Sequence, residues 1–264
     1  MQQKNIKERL FHNKRPVFGT WSQLPCPEGS EIAAMLGYDF VIVDTEHCFM
    51  DMETATNHFR AIEAYDSIPI IRLVDGDRGR ILHALDAGAK GILIPQVSTK
   101  EQAEKIVDAA RFPPMGNRGT CPSIRATGKG AIDWNEYCEW SNRETLVIFL
   151  IETVEAVTNI EEIAKVPGFD AVLLGPYDLS FSMNLNGQVE SPLVQEALQK
   201  VTQVCLANGK EVIAVPSWTG PGGLAGSVKE WYGRGCKLIT TTGDAGAISS
   251  QFKQVKGMLH EFYI

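Results

Sequence analysis

Thr145-Leu-Val-Ile-Phe-Leu-Ile-Glu152, with its companion Ala171-Val-Leu-Leu-Gly-Pro-Tyr-Asp178, decides how this chain folds. Each is an apolar run that leads abruptly to a carboxylate. Runs of this length read as strands buried on both faces, as in a parallel sheet covered by helices. An isolated charge is expensive to desolvate, so an acid there lies at a solvated mouth, holds a metal or pairs with a cation. Two such acids suggest one site.

Working outward, the same strand-then-helix unit recurs along the chain. Strands are expected over residues 17–21, 39–44, 68–73, 91–95, 145–151, 171–174, 211–215 and 237–241. Helices are expected over 5–11, 28–36, 52–65, 78–87, 99–110, 154–165, 193–207, 223–232 and 245–262. Ala55, Phe59 and Ile62 give the third of these one apolar face, Gly37 stops the second, and Thr99 with Gln102 matches a capping box. Eight strands, each followed by a helix, make a closed (β/α)8 TIM barrel, with an open sheet of nine elements as the other arrangement. The length of 264 residues suits one such barrel over 1–264 as a single domain, since the fold takes about 250.

The spacing breaks between residues 112 and 142, where Pro113, Pro114, Gly116, Gly119, Pro122, Gly128 and Gly130 crowd one stretch. So long a connection reads as an insertion before strand five, functional or at a subunit contact. There is no G-x-G-x-x-G after the first strand and no P-loop, and Gly220-Pro-Gly-Gly223 is a flexible turn.

A 44% hydrophobic and 22% charged composition fits a globular domain. A net charge of -7 argues against nucleic acid and anionic membranes as partners. No stretch approaches the ~20 apolar residues of a membrane span, and the first residues lack a signal-peptide core, so a cytoplasmic protein is expected. Cys26, Cys48, Cys121, Cys138, Cys205 and Cys236 show neither a C-x-x-C pair nor zinc spacing and read as free thiols of a reducing compartment.

In a barrel the strand ends meet at one mouth, where polar residues carry chemistry. Strand two ends in Asp44-Thr-Glu-His47, strand three in Arg72 and strand five in Glu152, with Asp178 following strand six and Asp86 read as another acid of the opening. Glu152 and Asp178 suit Mg2+ or Mn2+ held by one or two carboxylates, water and substrate, although either acid alone could simply cap a helix. His47, flanked by Asp44 and Glu46, is the candidate base, since a carboxylate fixes the tautomer and raises imidazole basicity. A lone histidine is as often a hydrogen-bonded strut. Arg72, after an apolar run, must face an anion, either substrate or an internal partner such as Asp44 or Asp86. His12, His58, His83 and His260 fall on helices and are read as non-catalytic. The turn at Gly175-Pro-Tyr-Asp178 offers backbone N–H groups to a carboxylate. Gly175, Pro176 and Tyr177, with Trp21 closing strand one, are the expected substrate-binding residues.

Asp44-Thr-Glu-His47, Arg72, Leu85-Asp-Ala-Gly-Ala89, Pro113-Pro-Met-Gly-Asn-Arg-Gly119, Ile151-Glu152 and Gly175-Pro-Tyr-Asp-Leu-Ser180, in this order, resemble the HpcH/HpaI class II aldolase family over about residues 17–250. The resemblance implies a TIM barrel that reversibly cleaves a 4-hydroxy-2-oxo acid, such as 4-hydroxy-2-oxoheptanedioate or a 2-keto-3-deoxy sugar acid, to pyruvate and an aldehyde. It implies Mg2+, Mn2+ or Co2+ on Glu152 and Asp178, Arg72 on the pyruvyl oxygen, and acid/base transfer by His47 with Asp44. It also implies a homo-oligomer, often a hexamer built as a trimer of dimers, in which Asp86 approaches a neighbouring subunit's site. The chain departs from that pattern at Leu150, where many relatives carry Gln, and in the aromatic, glycine-rich stretch 215–223. No lysine stands at a strand's inner end for a Schiff base. The alternatives are an oxaloacetate decarboxylase or a CoA-ester lyase of the citrate-lyase type using the same enolate, or a non-catalytic barrel that binds a 2-oxo acid.

Overall fold

The computed structural model describes residues 5–218 and 222–260. Its strands are β1 (Val17–Ser22), β2 (Phe40–Asp44), β3 (Ile68–Arg72), β4 (Gly91–Ile94), β5 (Leu146–Ile151), β6 (Ala171–Leu174), β7 (Glu211–Ala214) and β8 (Leu238–Thr240). All neighbours pair in parallel and β8 returns to β1, which closes the barrel and removes the open-sheet alternative. The helices are α1 (Ile6–Phe11), α2 (Pro27–Met35), α3 (Met52–Glu63), α4 (Arg78–Asp86), α5 (Lys100–Ala110), α6 (Trp134–Glu144), α7 (Val154–Thr158), α8 (Ile160–Ala164), α9 (Pro176–Ser182), α10 (Pro192–Ala207), α11 (Gly223–Gly233) and α12 (Asp244–Met258).

Successive strand residues point to opposite faces, so each apolar run serves two cores. Val41, Val43, Ile71, Ile92, Val147, Phe149 and Val172 face outward onto the helices, beside Phe59, Ile62 and Ile106. Phe40, Ile42, Ile68, Ile70, Leu93, Leu146, Ile148, Leu150 and Leu173 fill the barrel. A methyl group on Gly19 would overlap the Phe40 ring, so the bare backbone of β1 makes room for that side chain. The capping box of α5 forms as expected, with Thr99 and Gln102 bonding each other's backbone.

Several expected elements are redrawn. The insertion contains α6, whose N-terminus Asp133 caps by accepting from Asn135 and Glu136 N–H. The helix expected over 154–165 is two short ones meeting at Asn159. Past Gly175 the expected helix-like turn is a short helix, α9. The last helix ends at Met258; residues 261–262 of the expected helix, and residues 220–221 of the expected Gly/Pro turn, lie outside the described residues.

The insertion also acquires a structural task. Phe112, Tyr137 and Trp140 join Ile6, Leu10 and Phe11 of α1 in the interior cluster, which closes the end of the barrel where the strands begin. Arg118 lies between the Phe112 and Tyr137 rings and donates to Asp86 at 2.7 Å and to the Tyr137 hydroxyl at 3.3 Å. Asp86 is the last residue of α4, and α4 runs back to the start of β4. The expectation that Asp86 shares the opening with the strand-end acids is therefore corrected within this chain: it stands at the opposite end of the barrel, as the counterion of Arg118.

Removing one member of a buried ion pair leaves the other uncompensated. Arg118→Met, which keeps the apolar stem, is expected to lower unfolding free energy by about 3 kcal/mol. Urea unfolding of the native protein and the variant measures this, and a change below about 0.5 kcal/mol, the usual range for surface sites, would show that the pair is not structural.

Candidate active site

Asp44 and Arg72 are register partners at the ends of β2 and β3. Both point into the barrel, so the guanidinium meets the carboxylate side-on: Nε donates to Oδ1 at 2.9 Å and Nη2 to Oδ2 at 2.5 Å. Such a planar fork is available to arginine and not to lysine. Asp44 is fully buried and also accepts from the backbone N–H groups of Glu46 and His47 at 3.0 and 3.3 Å. Burial alone would raise its pKa, but Arg72's hydrogen bonds and charge more than reverse this and hold it below the ordinary carboxylate value.

Trp21 supplies the other face of the clamp, with the Arg72 guanidinium carbon 4.7 Å from the indole centroid. Arg72 Nη1 remains 3.3 Å from Glu46 Oε2, which accepts no hydrogen bond among the described residues. The same oxygen lies 3.8 Å from His47 Nε2. The expected carboxylate partner of the imidazole is thus Glu46, while Asp44 touches His47 only through the backbone. Glu46 lay inside the motif but outside the expected catalytic set. The imidazole itself is 63% exposed, at the solvated rim.

Across the mouth, Glu152 follows β5. Its Oε1 accepts the backbone N–H of Gln96 at 2.9 Å, and Gln96 holds a left-handed φ of 55° to present that group. Gly175 leaves room for this acid, since a Cβ there would sit 2.6 Å from that of Glu152. Burial, with the charges of Asp178 and Glu46, pushes Glu152 up to about 7, against the pull of the Gln96 N–H and Arg72. Asp178 opens α9 and is exposed. Burial likewise raises Glu46 despite Arg72 and His47.

The structure thus gathers Trp21, Asp44, His47, Arg72, Glu152 and the Gly175–Asp178 turn at one end of the barrel, and leaves Asp86 out. Sequence reasoning named both Asp44 and Glu46 beside the imidazole without choosing between them, and it missed the Gln96 amide as Glu152's anchor. Nothing in the sequence marks the Gln96 backbone. Carboxylates outnumber cations here, and the buried Glu152 with the exposed Asp178 beside it fits a hard divalent cation by donor type and by charge. Among the described residues no group of three or more His, Cys, Asp or Glu is gathered to hold a metal, so water or substrate oxygens would complete the shell.

The model of the HpcH/HpaI aldolase/citrate lyase family matches residues 18–217. The chain is 37% identical over 207 residues to a hydroxypyruvate/pyruvate aldolase of Delftia acidovorans, across 78% of this chain and 76% of that one. It is 36% identical over 206 residues to a 2-keto-3-deoxy-L-rhamnonate aldolase of Salmonella gallinarum, with the same coverage of 78% and 76%. A crystal structure of an HpcH/HpaI aldolase/citrate lyase family protein from Burkholderia cenocepacia matches with a TM-score of 0.88 and 28% identity, covering 97% of this chain and 99% of that one.

An acid whose pKa is raised on folding contributes stability that is complete below its unfolded pKa and is lost as pH climbs through the folded one. For Glu152 that window runs from its ordinary 4.5 to about 7. Metal-free protein should therefore lose stability across this interval, by about 2–3 kcal/mol at most, and Glu152→Gln should flatten the loss. Thermal melts of both proteins at closely spaced pH decide it: parallel curves would show that Glu152 is not the group responsible.

Proposed function

Because the chain belongs to the HpcH/HpaI aldolase/citrate lyase family, we propose that it is a divalent-metal-dependent carbon–carbon lyase that reversibly cleaves a 4-hydroxy-2-oxo acid to pyruvate and an aldehyde. The observation that carries this function is Arg72, fixed by Asp44 and Trp21, facing the two desolvated carboxylates Glu152 and Glu46 at one mouth. Glu152 and Asp178 would hold Mg2+, Mn2+ or Co2+, and the bound ion would supply Lewis acidity for the negative charge that develops on the 2-oxo oxygen.

Arg72 presents its outer edge to that same oxygen, and the buried Asp44 keeps the guanidinium from turning away. Asp44 is thus a positioning residue, since its oxygens are occupied by Arg72 and by two backbone amides. Gly175, Pro176 and Tyr177, with Trp21, line the pyruvyl end. His47 takes the proton of the C4 hydroxyl, the C3–C4 bond breaks with its electron pair moving into the pyruvyl enolate, and the aldehyde leaves. The imidazolium, steadied by Glu46, then returns the proton to C3. No atom is gained or lost over the cycle.

Removing the metal with EDTA should abolish pyruvate formation, and Mn2+, Mg2+ or Co2+ should restore it; full activity in thoroughly chelated enzyme would sink the metal assignment. Two variants separate the residues' roles. Arg72→Lys should slow both aldol cleavage and oxaloacetate decarboxylation by about a hundredfold or more, because both pass through the enolate. His47→Ala should slow cleavage, where a hydroxyl proton moves, by ~10²–10⁴ and decarboxylation much less. Equal losses in the two reactions would make His47 a binding residue instead of a proton carrier.

We also propose that the enzyme is a homo-oligomer. The helix α12 buries none of its residues, while Ile248, Phe252, Val255, Met258 and Leu259 stand exposed along it. A contiguous apolar face of this kind calls for a partner surface. Light scattering at micromolar concentration should give a multiple of the 29.0 kDa chain, and a monomer there would overturn the assignment.

A further inference from the structure

Resting on the aldolase function proposed above, we infer that the aldehyde half of the substrate is uncharged, and that an aromatic rim led by Trp218 receives its chain. An enzyme of this class handles two ends of one molecule. The 2-oxo acid end is anionic and has Arg72. The far end must find its complement among the loops that follow the strands.

Those loops contain no Lys or Arg at all. Their described residues are 23–26, 45–51, 73–77, 95–99, 152–153, 175, 215–218, 222 and 241–243, between the strand ends and the helices that follow them. Acids are present instead, with Glu46, Asp51, Asp75, Asp77 and Glu152 in the loops and Asp178 in the first turn of α9. The cations just beyond the loops each have a partner within the chain, Arg80 on the loop acid Asp75 itself. Arg78 donates to the Asn117 carbonyl at 2.7 Å, Arg80 approaches Asp75 at 3.3 Å, and Lys100 approaches Glu104 at 3.7 Å. Arg72 and a divalent ion carry three positive charges, but Arg72 is paired with Asp44 and the ion would lie on Glu152 and Asp178, both at the 2-oxo end.

Away from Arg72 and the metal, loops that carry acids and no cation repel a ligand group of negative charge. A second carboxylate at the far end of the substrate would enter this field with no counterion from the chain. Specificity comes from such repulsion of a charged ligand as well as from a favourable contact with its neutral analogue.

The rim supplies that favourable contact. Phe49, on the loop that also carries His47, is 102% exposed, and Trp218, on the loop after β7, is 54% exposed. Trp218 is not on a free-hanging segment. Val215 packs against the cluster inside the barrel, and the Ser217 N–H donates to the Ser227 hydroxyl on α11 at 3.0 Å, so the indole follows an anchored residue. Large apolar rings left in water at the entrance to a polar site gain by covering an uncharged carbon chain. Because His47 serves the C4 hydroxyl, carbons beyond C4 leave the site past this rim.

The test uses the metal-loaded enzyme with pyruvate and three acceptors: butanal, glyceraldehyde and succinate semialdehyde, the last matching butanal in carbon number but ending in a carboxylate. The expected kcat/KM for the better neutral acceptor exceeds that for succinate semialdehyde by on the order of tenfold or more, as an unscreened like charge at this range would give. Trp218→Arg should move the ratio toward succinate semialdehyde by a similar factor. Equal or better use of succinate semialdehyde by the native enzyme overturns the inference, and an unchanged ratio in the variant overturns the part assigned to Trp218. Oxaloacetate decarboxylation, which uses only the pyruvyl half, is measured alongside: its absence together with failure on all acceptors would sink the aldolase function itself, whereas its presence with a preference for the charged acceptor would sink only the uncharged-aldehyde inference.

Discussion

The side-on pair between Arg72 and Asp44 is the interaction on which the rest of the site depends. A guanidinium inside a barrel filled by Ile42, Ile70 and Leu93 is tolerated only with a counterion whose own oxygens are satisfied. Asp44 meets that demand because the register of β2 and β3 sets the two residues opposite each other and because the chain turns back at Glu46 and His47 to donate two amides. One carboxylate thereby fixes the cation, shapes the turn that carries the imidazole, and leaves one edge of the guanidinium facing the mouth.

The same economy of charge explains the opposite wall. Among the described residues Glu152 has no cationic partner of its own; it has a backbone amide from Gln96, held in a left-handed conformation that ordinary side chains rarely adopt. Strain of this kind clusters where a backbone group must be aimed. Burial beside Asp178 and Glu46 keeps Glu152 reluctant to ionise in the absence of a cation. Such a wall is a poor place for one more negative charge and a good place for a positive one.

Support for this arrangement comes from the far end of the barrel. Phe112, Tyr137, Trp140 and α1 plug the strand starts, and Arg118 with Asp86 sits in that plug. The side chains that fill the barrel, with this plug beneath them, leave a single mouth and give the strand-end residues their low-dielectric surroundings. The long Pro/Gly-rich segment therefore belongs to the scaffold, through contacts between residues widely separated in the chain.

The sequence by itself determined the barrel and most of the mouth. Eight apolar runs alternating with helical stretches admit few arrangements, because strands buried on both faces must be covered by helices and closed or capped at their edges. Residues that end such runs, as Asp44, Arg72 and Glu152 do, are readable because a charge at the end of an apolar strand has few places to go. Only the tertiary structure decided how those charges are shared. Asp44 bonds the guanidinium and not the imidazole, Glu46 takes the imidazole's side, Gln96 offers an amide that leaves no trace in its side chain, and Asp86 belongs to the other end. Each of these depends on strand register, on the direction in which a helix returns, or on a backbone angle, and none of these quantities is encoded in residue type or spacing along the chain.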